Sequence, residues 1–153
     1  MRNENNDIPP CMIYIDKEGK WFHKDREMIH REIIRHFYRH MEMDSEGRYI
    51  IQWQGERCYV EVEDTPYVVL RAVLEDSDHP GESRIVLFLS DGEHEDLSPA
   101  TLRVGNDNVL YCKVREGSFP ARFSRAAYYQ IAQYIEEDKG RFYLQLNGKR
   151  YVI

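Results

Sequence analysis

Apolar and polar positions along the chain switch between a period of two and a period near 3.6, and the switches mark its elements. Ile13-Tyr14-Ile15 reads as a strand, Asp16-Lys17-Glu18-Gly19 as a turn, and Lys20-Trp21-Phe22-His23 as the returning strand. A helical period follows and predicts a helix from about Arg26 to Met43, with Asp25 as its N-cap. Ile29, Ile33, Ile34, Phe37, Tyr38 and Met41 fall on one broad face, and Arg31, Glu32, Arg35 and Arg39 on the other. Alternation resumes over Arg48–Trp53 and Glu56–Val62, with Gln54-Gly55 as a hairpin turn between them.

The same order then returns. Leu102–Val104 and Val109–Val114 read as strands around a turn at Gly105–Asn108, and Gly117-Ser118-Phe119-Pro120 reads as a further turn. A helix is predicted from about Arg125 to Glu137, N-capped by Ser124, with Ala127, Tyr128, Ile131, Ala132, Tyr134 and Ile135 as its apolar face. A hairpin closes the chain, and here the repeat is visible residue by residue. Gly47-Arg48-Tyr49-Ile50-Ile51-Gln52-Trp53-Gln54-Gly55-Glu56-Arg57 recurs without a gap as Gly140-Arg141-Phe142-Tyr143-Leu144-Gln145-Leu146-Asn147-Gly148-Lys149-Arg150, with five of 11 positions identical. Each unit is expected to run strand, turn, strand, helix, strand, turn, strand. Between the units, Pro66–Leu74 and Arg84–Leu89 read as longer strands joined by an acidic loop over 75–83. Asp91-Gly92 is a hairpin turn, and a weak strand precedes Ser98-Pro99. The expected fold is α+β with mostly antiparallel sheets: a loose tail over 1–10, a first unit over 11–64, and an enlarged second unit over 65–153.

Composition narrows the function classes. The chain has 153 residues, 42% of them hydrophobic, with 11 Tyr and 6 Phe, enough for a packed core and too apolar for a disordered chain. The net charge is −6, with no basic stripe for nucleic acid and no Lys/Arg cluster for an anionic membrane surface. No run approaches the roughly 20 apolar residues that span a bilayer, and the polar start Met1–Asp7 does not read as a signal peptide. Cys11, Cys58 and Cys112 are scattered and odd in number, which predicts neither a disulfide framework nor a Cys-x-x-Cys metal site and fits a reducing cytoplasm.

Few residues carry chemistry. His36 and His40 stand four apart on the first helix, but residue 37 is Phe where a His-Glu-x-x-His zinc motif has Glu, so no metal site is predicted. Asp76-x-Asp78-x-x-Gly81 opens like a calcium loop, yet its closing position is Leu87, so it reads as a solvated acidic loop. His30 falls within the apolar arc of its helix and is expected to be hydrogen-bonded, facing the sheet or the other unit. No nucleophile elbow, P-loop or dinucleotide motif is present, so no catalytic residue and no cofactor is assigned. Ser124-Arg125-Ala126 is the one pattern suited to an anion, because a capped helix start offers unpaired N–H groups beside a guanidinium. Arg115 can add a second guanidinium, and Glu63-Asp64 is a natural internal partner for those arginines.

Four segments carry a family resemblance: Pro9-Pro10-Cys11 leading to Asp16-Lys17-Glu18-Gly19-Lys20-Trp21-Phe22; the helix with Arg31 and Phe37; Val62-Glu63-Asp64-Thr65-Pro66-Tyr67; and Val114-Arg115-Glu116-Gly117 with Ser124-Arg125-Ala126. Over about residues 9 to 153 the chain resembles the uncharacterised bacterial family catalogued as domain of unknown function 1285. The resemblance implies a domain duplication whose C-terminal half is superficially like a pleckstrin-homology domain. It also implies a cleft between the halves for a small, nucleotide-like anionic ligand used in signalling, in a family for which no catalytic activity is established. Carried over by motif, the ligand-binding residues are Trp21, Glu63, Asp64, Tyr67, Arg115, Ser124 and Arg125, with Trp21 or Tyr67 stacking on a ring. The alternative is a protein-interaction adaptor that uses exposed strand edges or acidic loops.

Overall fold

The structure is a computed structural model that describes residues 8–153; the start of the expected tail, 1–7, lies outside the described residues. The chain divides into two compact units, Met1–Pro66 and Tyr67–Ile153. The first opens with three short strands, β1 (Pro10–Ile15), β2 (Trp21–His23) and β3 (Arg26–Glu27). Helix α1 (Arg31–Arg39) follows, and then β4 (Met41–Met43), β5 (Tyr49–Trp53) and β6 (Glu56–Val62). All six strands form one sheet in the order β3-β2-β1-β6-β5-β4, closed at its middle by a parallel pairing of β1 with β6. Two of its turns repeat one device. Asp16 Oδ1 accepts from the N–H groups of Glu18 and Lys20, and Asp44 Oδ1 accepts from those of Glu46 and Arg48. Gly19 and Gly47 supply the left-handed residue each turn needs, with φ of 86° and 82°. Ile13, Ile15, Trp21, Tyr38, Met41, Ile50, Ile51 and Val60 form the core of this unit.

The second unit begins with β7 (Tyr67–Glu75), β8 (Arg84–Leu89) and β9 (His94–Asp96). It continues with β10 (Arg103–Val104), β11 (Leu110–Val114) and β12 (Phe119–Phe123). These six pair in the order β10-β11-β12-β7-β8-β9, with β12 parallel to β7. Helix α2 (Arg125–Ala132) leads to β13 (Ile135–Asp138), β14 (Arg141–Leu146) and β15 (Lys149–Val152), a separate three-stranded sheet. The repeated passages are therefore the hairpins β5–β6 and β14–β15. Both turn on two left-handed residues, Gln54-Gly55 (φ 51° and 79°) and Asn147-Gly148 (φ 54° and 74°). The duplication is also deeper than expected. In each unit a three-stranded meander precedes the helix and another follows it, so β1–β3, α1, β4–β6 recurs as β10–β12, α2, β13–β15. The strands β7–β9 are the addition that enlarges the second unit.

Several expectations need correcting. The first helix is nine residues long and begins at Arg31, because Lys24 and Asp25 adopt φ of 49° and 67° in a tight turn that pairs Arg26–Glu27 with β2. Asp25 is thus a turn residue, and the N-cap is His30, which is exposed and makes no side-chain cap bond. Ile29 and Ile33 are 74% and 46% exposed, so the broad apolar face contracts to Tyr38 with half-buried Ile34 and Phe37. Both helices were expected to run through residues that instead start the following meander: Met41–Met43 pairs with Tyr49–Ile51, and Ile135–Asp138 with Arg141–Leu144. Residues 119–123, where only a turn was expected, form β12. Finally, Cys11 and Cys58 form a disulfide, because the parallel β1–β6 pairing brings their Cα atoms to 4.9 Å. Among the described residues, no helix is long and apolar enough to cross a membrane.

Candidate functional site

In the first unit, Trp21 is set on β2 facing the core and is 1% exposed. Its ring lies edge-on to Tyr38 at 4.8 Å and parallel to Phe37 at 6.3 Å. Its indole N–H donates to the Tyr38 hydroxyl (3.0 Å), which donates to the Pro66 carbonyl (2.8 Å). This chain of bonds satisfies polar groups that the fold takes out of water. Trp21 is therefore a core residue here and offers no face for stacking. Glu63 and Asp64 follow β6 and are exposed, and the Glu63 N–H donates to the Ile15 carbonyl (2.9 Å). The Tyr49 phenol on β5 is held above its ordinary value by burial and then by the negative charge of Asp64.

The second unit brings Tyr67 and Arg115 together. Arg115 starts the β11–β12 turn with φ of 53°, followed by Glu116 and Gly117 at 59° and 80°. This geometry turns its guanidinium inward: one Nη donates to the Tyr67 hydroxyl (2.7 Å), and the group lies 5.1 Å from the Phe119 ring centre. The Arg115 backbone N–H donates to Glu95 on β9 (2.9 Å). Tyr67 is fully buried, with Phe119 at 5.3 Å, so its ring too is core rather than a free stacking surface. Nearby, burial pushes the Asp91 carboxyl above its ordinary value, while the Glu93 N–H bonded to it (2.9 Å) and the Arg115 charge pull it down. Asp91, Glu95 and Phe119 belong to this cluster and were not assigned a role from sequence. The Asp91-Gly92 turn was legible there; that it turns towards Arg115 depends on strand pairing far along the chain.

Ser124 and Arg125 open α2. The Ser124 backbone N–H donates to the Val69 carbonyl (2.9 Å) and its hydroxyl to the Leu70 carbonyl (3.3 Å), which anchors the helix start to β7. The same hydroxyl accepts from the Ala127 N–H (3.1 Å), the N-cap bond read from the sequence. The first-turn N–H groups of Arg125 and Ala126 have no acceptor within the helix, as geometry requires. Both residues are exposed, and the Arg125 guanidinium has no ion-pair partner among the described residues. Positive end charge, two free donors and an unpaired guanidinium thus coincide at one exposed point.

Sequence reasoning missed one recess altogether. A groove of about 630 Å3 on the first unit is lined by His36, Arg39, His40, Gln52, Trp53 and Gln54. His36 packs 3.6 Å from Trp53 and 4.5 Å from His40, ring centre to ring centre. Its Nε2 is covered and makes no hydrogen bond. Desolvation, then the charges of His40 and Arg39, hold this imidazole below its ordinary value. His40 is the exposed C-cap of α1. Among the described residues no three His, Cys, Asp or Glu side chains are grouped to hold a metal ion.

Two solved structures share this arrangement of elements. A DUF1285 family protein from Silicibacter pomeroyi DSS-3 superposes with a TM-score of 0.77 at 16% identity, over 96% of this chain and 81% of that one. The fold is that of DUF1285 proteins. A second such protein, from Shewanella baltica OS155, gives 0.65 at 17% identity over 80% of this chain and 91% of that one. The expected resemblance to DUF1285 is thereby met in fold, and identities this low speak to fold alone. No protein-family model matches the chain, and no curated protein does.

Proposed function

We propose that this protein is a ligand-binding, regulatory module rather than an enzyme, and that it recognises a small anionic, nucleotide-like molecule through the start of α2. The observation that carries the reading is the Arg125 guanidinium, without an ion-pair partner among the described residues, on the helix turn whose Arg125 and Ala126 N–H groups have no acceptor within the helix. A non-catalytic role is supported by how the potential nucleophiles are used. The Ser124 hydroxyl is spent on the cap and on Leu70, and burial pushes the Cys112 thiol up to about 12, far from a reactive thiolate. Glu63 and Asp64, exposed on the first unit, carry no part of this reading. Trp21, Tyr67 and Arg115 are each packed within their own unit and are given no ligand contact in this reading.

The test is a thermal-shift and calorimetric comparison with mono- and dinucleotides and with inorganic phosphate. The parent protein is expected to be stabilised by a phosphorylated ligand. Arg125→Ala is expected to lose at least about tenfold in affinity, the size of one charge-assisted bond, with Arg125→Lys intermediate. An Arg125→Ala variant that binds as the parent does removes this reading. A protein-adaptor reading is favoured by exposed Ile29 and Ile33 at the start of α1; it predicts no response to any small anion. A cytoplasmic setting suits a nucleotide-responsive module, and there the Cys11–Cys58 disulfide would be exposed to a reducing thiol pool.

A further inference from the structure

The leading stretch of β1 is held unlike the rest of its sheet. From Ile13 onward the strand is paired with His23, Phe22 and Trp21 of β2, and from Tyr14 onward also with Glu61 and Val62 of β6. Before Ile13 the pairing breaks. Pro10 is opposite Tyr59 and Tyr14 opposite Glu61, so two extra residues are accommodated in β1, and Met12 takes up the distortion at φ 62°. Over residues 8–12 the Tyr59 N–H donates to the Pro9 carbonyl and the Lys24 N–H to the Met12 carbonyl, both 3.0 Å, and Pro10–Tyr59 is the one paired position with β6. Proline at 9 and 10 removes two further donors. Between these two bonds sits the Cys11–Cys58 disulfide. Both cysteines are half-buried, so solvent reaches this part of the sheet, whereas Cys112 is buried in the second unit.

We infer that Cys11–Cys58 is a thiol-exchange site, and that its reduction releases residues 8–12 from β6. A low-molecular-weight thiolate attacks one of the two sulfurs. A new sulfur–sulfur bond forms as the Cys11–Cys58 bond breaks, and the displaced sulfur departs as a thiolate that takes up a proton. A second thiol resolves the mixed disulfide. Two external thiols are oxidised to their disulfide, and the protein pair is reduced to two thiols. What remains over residues 8–12 is a single paired position with β6 and a few main-chain hydrogen bonds beside a bulge, each worth about 1 kcal/mol net. Ordering each residue's backbone costs about as much or more, so the stretch detaches. The remainder of β1 keeps its two-sided pairing and the buried Ile13 and Ile15. The consequence is local: β6 loses its neighbour at Tyr59 and presents an unpaired edge there, next to the freed residues 8–12.

The full chain is treated with glutathione or dithiothreitol at neutral pH without denaturant, alkylated, and followed by mass spectrometry and amide hydrogen exchange. Two alkyl groups are expected to appear at Cys11 and Cys58, with Cys112 unmodified. Exchange protection should be lost in peptides covering residues 8–13 and 56–60 and kept elsewhere. Cys11→Ser with Cys58→Ser should show the same loss without reductant and no further response to it. Three results would each overturn the inference. The disulfide could resist millimolar thiol, protection over 8–13 could survive reduction or the double substitution, or the whole first unit could lose protection together, which would make the bond a brace of the fold.

Discussion

Tyr38 shows how much one side chain can hold. It is the only fully buried residue of α1, and its hydroxyl accepts from the Trp21 indole and donates to the Pro66 carbonyl. Replacing it by Phe keeps the ring and its 4.8 Å edge contact with Trp21 but leaves a buried indole N–H and a buried carbonyl without partners. The expected loss is about 2–6 kcal/mol, because each of the two unsatisfied buried groups costs its full desolvation penalty, about 1–3 kcal/mol. Urea unfolding monitored by tryptophan fluorescence measures it. A loss below about 0.5 kcal/mol would mean that water replaces the hydroxyl and that the bond chain is not a buried one. At this scale the sequence was legible in part. Trp21 stood out, but its use could not be read, since its partner is 17 residues away on a helix whose start was misplaced. Arg115 and Tyr67 were both singled out, and they do meet, 48 residues apart, yet as a packed framework instead of a pair of free ligand contacts.

At the scale of elements, the hairpins were readable and the helix ends were not, for one physical reason. A two-residue hairpin carries its instruction locally, as Gln54-Gly55 and Asn147-Gly148 do through residues that accept positive φ. A helix end without glycine or proline is set by what competes for the next residues. Met41 and Ile135 continue the apolar spacing, but each pairs with the meander that follows, and sheet pairing prevails. The caps show the same asymmetry. Ser124 has its bond to the Ala127 N–H, so Ser124→Ala is expected to cost about 1–2 kcal/mol, counting the lost bond to Leu70. His30 sits in the extended conformation an N-cap needs, at φ −84° and ψ 99°, without using its side chain. His30→Asp should therefore stabilise by about 0.5–1 kcal/mol, through a new cap bond and a favourable charge at the helix start. Thermal midpoints moving in opposite directions for the two variants would bear this out, whereas a neutral His30→Asp would show that fixing α1 locally does not stabilise the whole.

Across the whole molecule the two units are expected to respond to acid in opposite ways. In the first, the His36 imidazole is held below its ordinary value by desolvation, His40 and Arg39. As pH falls below about 6.5 the unfolded chain takes up a proton there that the folded chain refuses, so stability is lost. Asp44 acts in the same direction at lower pH. Burial raises its carboxyl, but the N–H groups of Arg48 and Glu46 and the Arg48 guanidinium at 2.9 Å outweigh it, and the carboxyl sits below its ordinary value. In the second unit the Asp91 carboxyl sits above its ordinary value because it is buried. As pH rises through the ordinary carboxylate range, about 3.9, the unfolded chain ionises first and the folded one holds its proton, so stability is lost on going up. Thermal unfolding from pH 4 to 7 separates these contributions. Asp91→Asn keeps an oxygen for the Glu93 N–H and removes the opposing contribution, so its midpoint should climb more steeply with pH than the parent's. His36→Gln should flatten the climb that ends near pH 6.5. If both variants keep the parent's slope, neither group is desolvated as the packing around Trp53 and the Asp91 turn requires. If Asp91→Asn alone keeps it, water reaches that carboxyl and the Arg115 cluster is open at that side.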